Sequence, residues 1–529
     1  MQKNLFFSSL FVLLTSSAIG QSTASFKLAD VKEFSPVSLP SKTYELNNLI
    51  IDHDNDALIF PLRSKTGFGF IKVNSNMEKV SESYLEKPKS KYLLYEDFFD
   101  WKGNVYILAS DYDKKSKEEI LNFVELKFGE NDFQGINTEI LRHSGKLAGE
   151  MMPTGFYSAY TLGKFQVLNE DKWPYMGVWS KPVKSDNPDG TKRKLYLLDS
   201  KLKVASKVEL NVEGKLLSHT MHGDYFYIMT IDNPEEDREK DKKTALHVYQ
   251  VHSKTKKVKS VSYNFENNIV SSGLINHRES GKTDIVGYYY DKNSRGLMGT
   301  YTLQFDLETM KAGPMKFYPF ARDLVRQNES EKTINRADKM ESKGKEMGVH
   351  KLIPRSFLQR SDGGFYLVGE QYRMIVSMSS SSNGVSYKYY YSYEDEYISS
   401  FDSSGNELWV RKLPKKQYFA NYSEYGGISS FIYNDNVYIF RLDLIENKDL
   451  GDREPVKIQS FKGSSLVLSK ISKEGKVETE YIMHFNDRKA NVLPRYIWEL
   501  SPGKLFTKAK ESAQYYSTKD IRPIIIDLK

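Results

Sequence analysis

The most unusual tract of the chain is rich in serine and tyrosine and reads MSSSSNGVSYKYYYSYEDEY. Asn383 followed by Gly384 is typical of a tight hairpin turn, and side chains two residues apart share one face of a strand. One face of the predicted hairpin therefore carries four tyrosines, Tyr387, Tyr389, Tyr391 and Tyr393. A ladder of rings and hydroxyl groups can contact a sugar or a peptide. The alternative is that these tyrosines only form cross-strand pairs that hold a long hairpin together.

A cationic side chain, Arg373, lies at the start of the same tract. A guanidinium group can bind a carboxylate or a sulfate through paired hydrogen bonds, which would place a charged contact beside the tyrosines. The alternative is an ordinary surface salt bridge. We include Arg373 among the candidate ligand-binding residues.

A second aromatic group lies in a long insertion after Leu168 and consists of Trp173, Tyr175 and Trp179. Exposed Trp and Tyr side chains stack on sugar rings or hold peptide side chains at a low entropic cost. In that case Trp173, Trp179 and the tyrosine tract are exposed and face a shared cleft. The alternative is that the aromatic residues pin the insertion onto the sheet beneath it.

Motifs that would indicate a metal or a catalytic nucleophile are weak. Asp52, Asp54 and Asp56 have the alternate spacing of a calcium loop, but the glycine and the later glutamate of such a loop are missing. His219 and His222 form an HxxH pair without a third ligand nearby. The chain has no cysteine and no GxSxG motif. We therefore predict no metal site and no cofactor, and the catalytic residues, if any exist, stay unknown.

The elements that must position these residues are β-hairpins. Eight segments share one pattern, in which an apolar strand, a polar turn with Gly, Asn or Asp, and a second apolar strand follow one another. Clear copies are FFDWKGNVYILAS, FLQRSDGGFYLVGE and SFIYNDNVYIFRL. Seven outer hairpins alternate with the eight inner ones, and the last unit has a single outer strand, PIIIDLK. The early segment FKLADVKEFSPVSL can fill the vacant edge.

This alternation predicts an all-β fold, a single β-propeller of eight blades that the N-terminal strand closes. Closure would remove sheet edges that otherwise promote aggregation. Seven blades is the alternative count, and two or three β-sandwiches are the alternative fold.

The long insertions fall, by this assignment, in connections on one face of the disc. One of them is the helical insertion at about 321–345, which is rich in helix formers, lacks proline and ends at Gly344. Its apolar residues are sparse, so we expect one mostly solvated helix. Elaborated loops on a rigid scaffold are where binding usually occurs.

Composition indicates the compartment and restricts the partners. Residues 1–20 have a basic start, an apolar core and small residues before Gln21, as in a secretory signal peptide, which leaves 21–529 as the propeller. A membrane anchor is the alternative, but the apolar run is interrupted and short. The net charge of +7 is mild and both signs are interspersed, which argues against nucleic acid as a partner. We expect a monomer without a transmembrane segment, periplasmic or extracellular.

The stretch YYYSYEDEYISSFDSSGNELWVRKLPKKQ, followed by EYGGISSFIYNDNVYIF, resembles secreted bacterial proteins with WD40-like or PQQ-like β-propeller repeats. The resemblance covers about residues 357–440 and implies the fold and an envelope or extracellular setting, but no activity. Only Trp409 fits the tryptophan-docking motif of quinoprotein blades.

The function that we predict is that of a non-catalytic binding or scaffold propeller, which recognises a glycan polymer or a protein or peptide through aromatic loops on one face. The alternative is a glycan-cleaving hydrolase or lyase. Propeller enzymes assemble their acids from different blades near the central channel, so two carboxylates about 5 to 10 Å apart in a cleft would favour this alternative.

Overall fold

The computed structural model describes residues 27–529 except for several internal segments, which are 41–43, 46–48, 53–56, 64–66, 87–93, 130–132, 148–149, 152–160, 163, 169–172, 182, 184–191, 233–244, 265–267, 278–281, 292–293, 382–383, 422, 461–462, 486–490 and 511–519. The predicted signal peptide and the candidate calcium residues Asp54 and Asp56 lie outside the described residues.

The described residues form eight antiparallel sheets, which we number as blades in chain order. The chain begins with β1 (Ala29–Glu33) and β2 (Val37–Ser38). Blade one contains β3 (Tyr44–Glu45), β4 (Ile50–Asp52), β5 (Ala57–Arg63), β6 (Gly67–Val73) and β7 (Lys79–Glu86). Blade two contains β8 (Leu94–Trp101), β9 (Asn104–Asp113), β10 (Glu118–Phe128) and β11 (Phe133–Ser144). A separate small hairpin follows, made of β12 (Glu150–Met151) and β13 (Thr161–Leu162).

The middle blades continue this pattern. Blade three contains β14 (Phe165–Leu168), β15 (Met176–Ser180), β16 (Lys192–Leu198) and β17 (Val204–Asn211). Blade four contains β18 (Lys215–His222), β19 (Tyr225–Ile231), β20 (Ala245–His252) and β21 (Val258–Asn264). Blade five contains β22 (Asn268–His277), β23 (Lys282–Asp291), β24 (Gly299–Asp306), β25 (Lys311–Ala312) and β26 (Lys316–Pro319), and is followed by the helices α1 (Arg322–Arg326) and α2 (Glu331–Glu341).

The last three blades include the longest strands. Blade six contains β27 (Leu352–Gln359), β28 (Phe365–Ser381), β29 (Gly384–Phe401), β30 (Glu407–Leu413) and β31 (Gln417–Ala420). Blade seven contains β32 (Ser429–Tyr433), β33 (Asn436–Leu444), β34 (Ser464–Ile471) and β35 (Val477–His484). Blade eight contains β36 (Asn491–Ser501), β37 (Lys504–Lys510) and β38 (Asp520–Leu528). Single 3-10 turns lie at Ser423–Tyr425 and Ile445–Asn447.

The strands of one blade follow from local sequence. In blade seven the second strand, NVYIFRLDL, is buried along nearly its whole length because other sheets cover both of its faces. The outer strand of blade three, VASKVELN, alternates between exposed and buried residues because only one face is covered. The inner hairpin of blade seven turns at Asn434 and Asp435, which both have positive φ, as a two-residue hairpin turn requires.

Apolar clusters join each blade to the next one along the chain. There are eight clusters among the described residues, and each combines side chains from neighbouring blades. One of them joins the last blade to the first, with Phe506 stacked on Phe60 at 5.7 Å between ring centroids. Burial of each large apolar side chain contributes about 1.5–3 kcal/mol. Eight sheets in this arrangement form an eight-bladed β-propeller, as the sequence predicts.

The N-terminal strand completes blade eight. Strand β1 pairs with β38 in antiparallel register, from Ala29 opposite Leu528 to Glu33 opposite Ile524. The backbone of Lys529 also donates a hydrogen bond to Leu28, at 3.0 Å. This is the pairing that the sequence predicts for the segment FKLADVKEFSPVSL.

Two details of the sequence assignment are wrong. The predicted helix at 321–345 is two helices, because Asn328 adopts a φ of +57° and Ser330 caps the start of α2. The buried Asn328 amide donates to the carbonyl oxygens of Gly451 and Arg453, so tertiary contacts favour the break. As expected, the insertion is mostly solvated, and Ala337 is the buried residue of α2.

The second wrong detail concerns blade three. The segment from Phe165 to Leu168 is the first strand rather than the second, because Thr161–Leu162 pairs with Glu150–Met151 instead. The loop that contains Trp173 therefore joins the first and second strands. In antiparallel blades such connections lie on the face opposite to those between second and third strands. The insertions are consequently not all on one face.

Candidate functional site

The long hairpin of blade six extends beyond the body of the propeller. We call residues 372–393 the arm; they belong to β28 and β29, which pair from Tyr372 opposite Tyr393 to Ser381 opposite Gly384. The arm connects the second and third strands of its blade, so we call its side of the propeller the arm face. The predicted hairpin and the shared face of the four tyrosines are confirmed by this register.

One face of the arm is apolar and exposed. Residues opposite one another in the ladder lie on the same face, so the tyrosines are accompanied by apolar residues of β28. The exposed apolar face consists of Met374, Val376, Met378, Val385 and Tyr387, which are 46–64% exposed. The other face carries mainly polar residues, with Ser379 hydrogen-bonded to Ser386 at 2.6 Å.

The tyrosine ladder passes from the core to solvent. Tyr393 is fully buried and Tyr391 is 7% exposed, whereas Tyr387 is 57% exposed. Tyr389 lies between these extremes and packs against the same apolar cluster as Tyr391. The expectation that all four tyrosines are accessible is therefore wrong for Tyr391 and Tyr393. They belong to the apolar cluster that blade six shares with blades seven and eight, where a ligand cannot reach them.

Close packing fixes the root of the arm. The ring of Tyr393 lies 5.1 Å from that of Tyr372, and strand β31 pairs with β29 from Tyr390 to Tyr393. A Cβ atom on Gly426 would lie 2.2 Å from the ring of Tyr393, so the backbone can approach this ring only because residue 426 is glycine. A register shift between Glu370 and Tyr372 marks a β-bulge, which redirects the strand where the arm begins.

A buried network of charges lies below the arm. Lys415, Glu370 and Glu396 are almost completely buried, and the Lys415 ammonium contacts the carboxylates of both glutamates. Arg355 pairs with Glu370 at 2.6 Å, and Arg441 lies 3.8 Å from Glu396. Burial raises the pKa of Glu396, and the neighbouring cations Lys415 and Arg441 oppose that shift. Such a network fixes the register of β28 and β29, since removing one partner would leave a buried charge uncompensated.

The Trp173 group does not form an exposed surface. Trp173 and Trp179 are 3% and 2% exposed, and both belong to the apolar cluster between blades three and four, with Tyr175 half-buried at its edge. Trp173 packs edge-on against His219 and Phe226, at 5.5 and 5.9 Å between ring centroids. The expectation that Trp173 and Trp179 are exposed is wrong. Trp173 pins the connection between β14 and β15 onto the blade, which was the alternative, whereas Trp179 is part of strand β15 itself.

Arg373 lies on the polar face of the arm and is exposed. It forms no ion pair with the residues that the structure describes. Its guanidinium is therefore accessible to an anionic group of a partner, although it points away from the exposed apolar face. Binding at Arg373 and Tyr387 stays a prediction.

The two histidines of the HxxH pair have separate partners. His219 lies beside Trp173, and burial lowers its pKa to about 4. His222 lies 3.2 Å from the carboxylate of Glu308, and both residues are on the face of the propeller opposite to the arm face. They do not form a common site.

A cavity of about 180 Å³ lies among the inner strands of blades one, two and eight. Its lining combines apolar residues with one carboxylate and comprises Leu49, Ile50, Phe98, Phe99, Asp100, Val105 and Trp498. A glycosidase needs two carboxylates at its cleft. The described part of this cavity provides only Asp100 and therefore does not favour the hydrolase alternative.

Sequence reasoning missed the most exposed part of the arm. Met374, Val376 and Met378 alternate along RMIVSMSS, which is a detectable strand pattern. Only the pairing register shows that these three residues lie on the same face of the hairpin as Tyr387.

No protein-family model and no curated protein matches the chain. Among solved structures it is similar to the WD40 domain of SCAP from fission yeast, with 10% identity, 94% of this chain and 98% of that chain covered, and a TM-score of 0.37. It is also similar to the β-propeller domain of the Trilobed protease from Pyrococcus furiosus, with 9% identity, 83% of this chain and 94% of that chain covered, and a TM-score of 0.34. A third similar structure is that of extracellular domains 1-2 of Drosophila Semaphorin 1a, with 10% identity, 94% of this chain and 89% of that chain covered, and a TM-score of 0.32.

The assignment to the class of β-propellers depends on the chain's own strand pairing and inter-blade clusters. None of the described helices has the length and apolar composition needed to cross a membrane.

Proposed function

We propose that the protein is a non-catalytic binding propeller that holds a protein partner on its arm, outside the cytoplasm. The observation that carries this proposal is the exposed apolar face of the arm, whose five residues are 46–64% exposed. Contiguous apolar surface of this kind is uncommon on proteins without a partner.

The chemistry of this face favours a protein over a glycan. Sugars stack on flat aromatic rings, but Tyr387 is the one aromatic residue among the five exposed apolar residues. Met374 and Met378 are flexible and polarisable, and such side chains adapt to the apolar side chains of a partner protein. A glycan would leave Val376 and Val385 without suitable contacts.

The backbone of the arm offers a second means of binding. Strand β28 pairs with β27 only as far as Gln371, so from Arg373 onward the edge of β28 opposite to β29 has no strand beside it within the described residues. Open strand edges accept an additional strand through main-chain hydrogen bonds. We therefore propose that the partner provides an extended apolar segment, which pairs with β28 and covers the apolar face.

The compartment is proposed from composition. The predicted signal peptide at residues 1–20 supports export, and a chain without cysteine needs no disulfide to fold outside the cytoplasm. The expected monomeric state is part of the same proposal, since the apolar face would then be available to a different protein.

The proposal is tested with two variants of the arm. The apolar-face variant combines Val376→Ser, Met378→Ser and Val385→Ser, and the control variant combines Ser377→Ala, Ser379→Ala and Ser386→Ala on the opposite face. Cross-linking mass spectrometry on envelope extract should recover a protein cross-linked to the wild-type arm. Its yield should fall at least tenfold with the apolar-face variant and stay unchanged with the control.

Two results would contradict the proposal. Equal yields from both variants would show that the apolar face is not the contact. A wild-type dimer in sedimentation velocity that only the apolar-face variant abolishes would show that the occupant is a second copy of the chain.

A further inference from the structure

A His and two carboxylates converge on the arm face of blade four. Glu213 lies in the connection from β17 to β18, Asp232 directly follows β19, and His247 lies in β20. Nε2 of His247 is 2.8 Å from Oδ1 of Asp232 and 3.7 Å from Oε2 of Glu213. The possible ligand atoms all lie within 4.8 Å of one another, and no other such group occurs among the residues that the structure describes.

Neighbouring groups orient these side chains. Nδ1 of His247 lies 2.8 Å from the hydroxyl of Ser262, and the backbone amide of Ala245 donates to Oδ2 of Asp232 at 2.9 Å. When Nδ1 of His247 carries the ring proton and donates it to Ser262, Nε2 has a lone pair 2.8 Å from Oδ1 of Asp232, and one ion can then be bound by both atoms. Metal-binding histidines typically make such a hydrogen bond through their other ring nitrogen.

The backbone of Glu213 is held as well. Its amide donates to the hydroxyl of Tyr249 at 2.9 Å, and its carbonyl oxygen accepts a hydrogen bond from Thr230. The carboxylate itself is free to move, because the side chain of Glu213 is 70% exposed. Hence Glu213 can close over an ion that Asp232 and His247 already bind.

The depth of the three residues suits an open metal site. The side chains of His247 and Asp232 are 6% and 24% exposed, so they form a sheltered base below the exposed Glu213. Three protein ligands with solvent on one side leave coordination positions for water, as in open zinc sites.

We propose that Glu213, Asp232 and His247 bind one divalent transition-metal ion. One imidazole nitrogen with two carboxylate oxygens suits Zn²⁺, Co²⁺ or Mn²⁺, whereas Ca²⁺ and Mg²⁺ prefer sites made only of oxygen. The alternative is a plain hydrogen bond between His247 and Asp232. The three residues are distant in sequence and form no motif, which is why sequence analysis predicts no metal there.

Titration of the chelator-treated chain, without its predicted signal peptide, with Co²⁺ alone tests the site. Saturable visible absorption at one equivalent is expected, with competition by Zn²⁺. His247→Gln and Asp232→Asn should weaken Co²⁺ binding at least tenfold. Glu213→Gln should weaken it as well, and because this residue is exposed the variant is expected to fold normally.

A matched control is available in the same blade. His222 also lies beside a carboxylate, at 3.2 Å from Glu308, but the pair is exposed and has no third ligand among the described residues. His222→Gln should leave Co²⁺ binding unchanged. Absence of saturable binding up to millimolar Co²⁺, or equal affinity in the wild type, Glu213→Gln and His247→Gln, would overturn the proposal.

Discussion

Glu407 is a half-buried carboxylic acid at the contact between blades five and six. Its carboxylate accepts a hydrogen bond from Thr300 at 2.6 Å, and no cation pairs with it among the described residues. Burial raises its pKa to about 7. The folded protein therefore holds a proton on Glu407 at pH values where an unfolded chain would have lost it.

The raised pKa of Glu407 predicts a dependence of stability on pH. The contribution of Glu407 to the free energy of unfolding is fully present below about pH 4.5 and is lost as the pH rises through about 7. Glu407→Gln keeps an acceptor for Thr300 and cannot ionise, so at pH 8 we expect it to stabilise the protein by on the order of 2–3 kcal/mol. Thermal unfolding at pH 5 and pH 8 measures the effect.

The control for Glu407→Gln is Glu499→Gln, at an exposed side chain of blade eight. Its stability relative to the wild type should be the same at pH 5 and pH 8. A stability difference between Glu407→Gln and the wild type that is the same at pH 5 and pH 8 would show that Glu407 is not the titrating group.

Two aromatic residues should respond differently to truncation. Trp173 is 3% exposed within an apolar cluster, whereas Tyr387 is 57% exposed at the arm. Trp173→Ala should lower the free energy of unfolding by about 3–5 kcal/mol, and Tyr387→Ala should change it by less than about 0.5 kcal/mol. Urea unfolding measures the free energy of unfolding of both variants. Equal decreases in the two variants would contradict the burial described for Trp173.

At the scale of elements, the arm is a projection whose root alone belongs to the core. The buried Tyr393 and the charge network of Lys415 with Glu370 and Glu396 lie below it. We expect the outer part to contribute to binding and not to the stability of the propeller.

Replacing residues 377–388 by Asn-Gly tests this separation. Val376 and Tyr389 are opposite each other in the ladder, so a two-residue turn can join them. The melting temperature should change by at most about 2 °C, while cross-linking to the partner is lost. A shortened protein that unfolds at a much lower temperature would show that the outer arm belongs to the core.

The same elements show how far the sequence could be interpreted. Hairpins were predictable because their turns need residues such as Asn434 and Asp435 that accept positive φ. The break before α2 was not predictable, since Asn328 is fixed by carbonyl groups more than 120 residues away in sequence. Burial of Trp173 likewise depends on Phe226 of the next blade. Long-range contacts of this kind leave no local pattern.

At the scale of the whole molecule, the described blades are held together by apolar clusters and by one strand from the start of the chain. Strand β1 covers the edge of β38, and Leu28 and Ala29 are buried in the cluster between blades seven and eight. The described contacts therefore tie the first blade and the N-terminus to the last blade.

Deleting residues 27–38 should remove this tie. The loss of buried apolar side chains, among them Leu28 and Val37, predicts a decrease of roughly 3–6 kcal/mol in the free energy of unfolding. The exposed edge of β38 should also promote aggregation. Thermal unfolding and light scattering measure both effects. Asp30→Ala, at an exposed side chain of the retained strand, is the control with little expected change.

Pairing of β1 with β38 also determines when the molecule can finish folding. The first residues of the domain to leave the ribosome must wait for the last, because Ala29 pairs with Leu528. A nascent chain that ends before β38 has blade eight without the strand to which β1 pairs, so β1 has no partner. The last blade is therefore completed only after the final residues of the chain have been synthesised, and the ends of the chain join in the same late step.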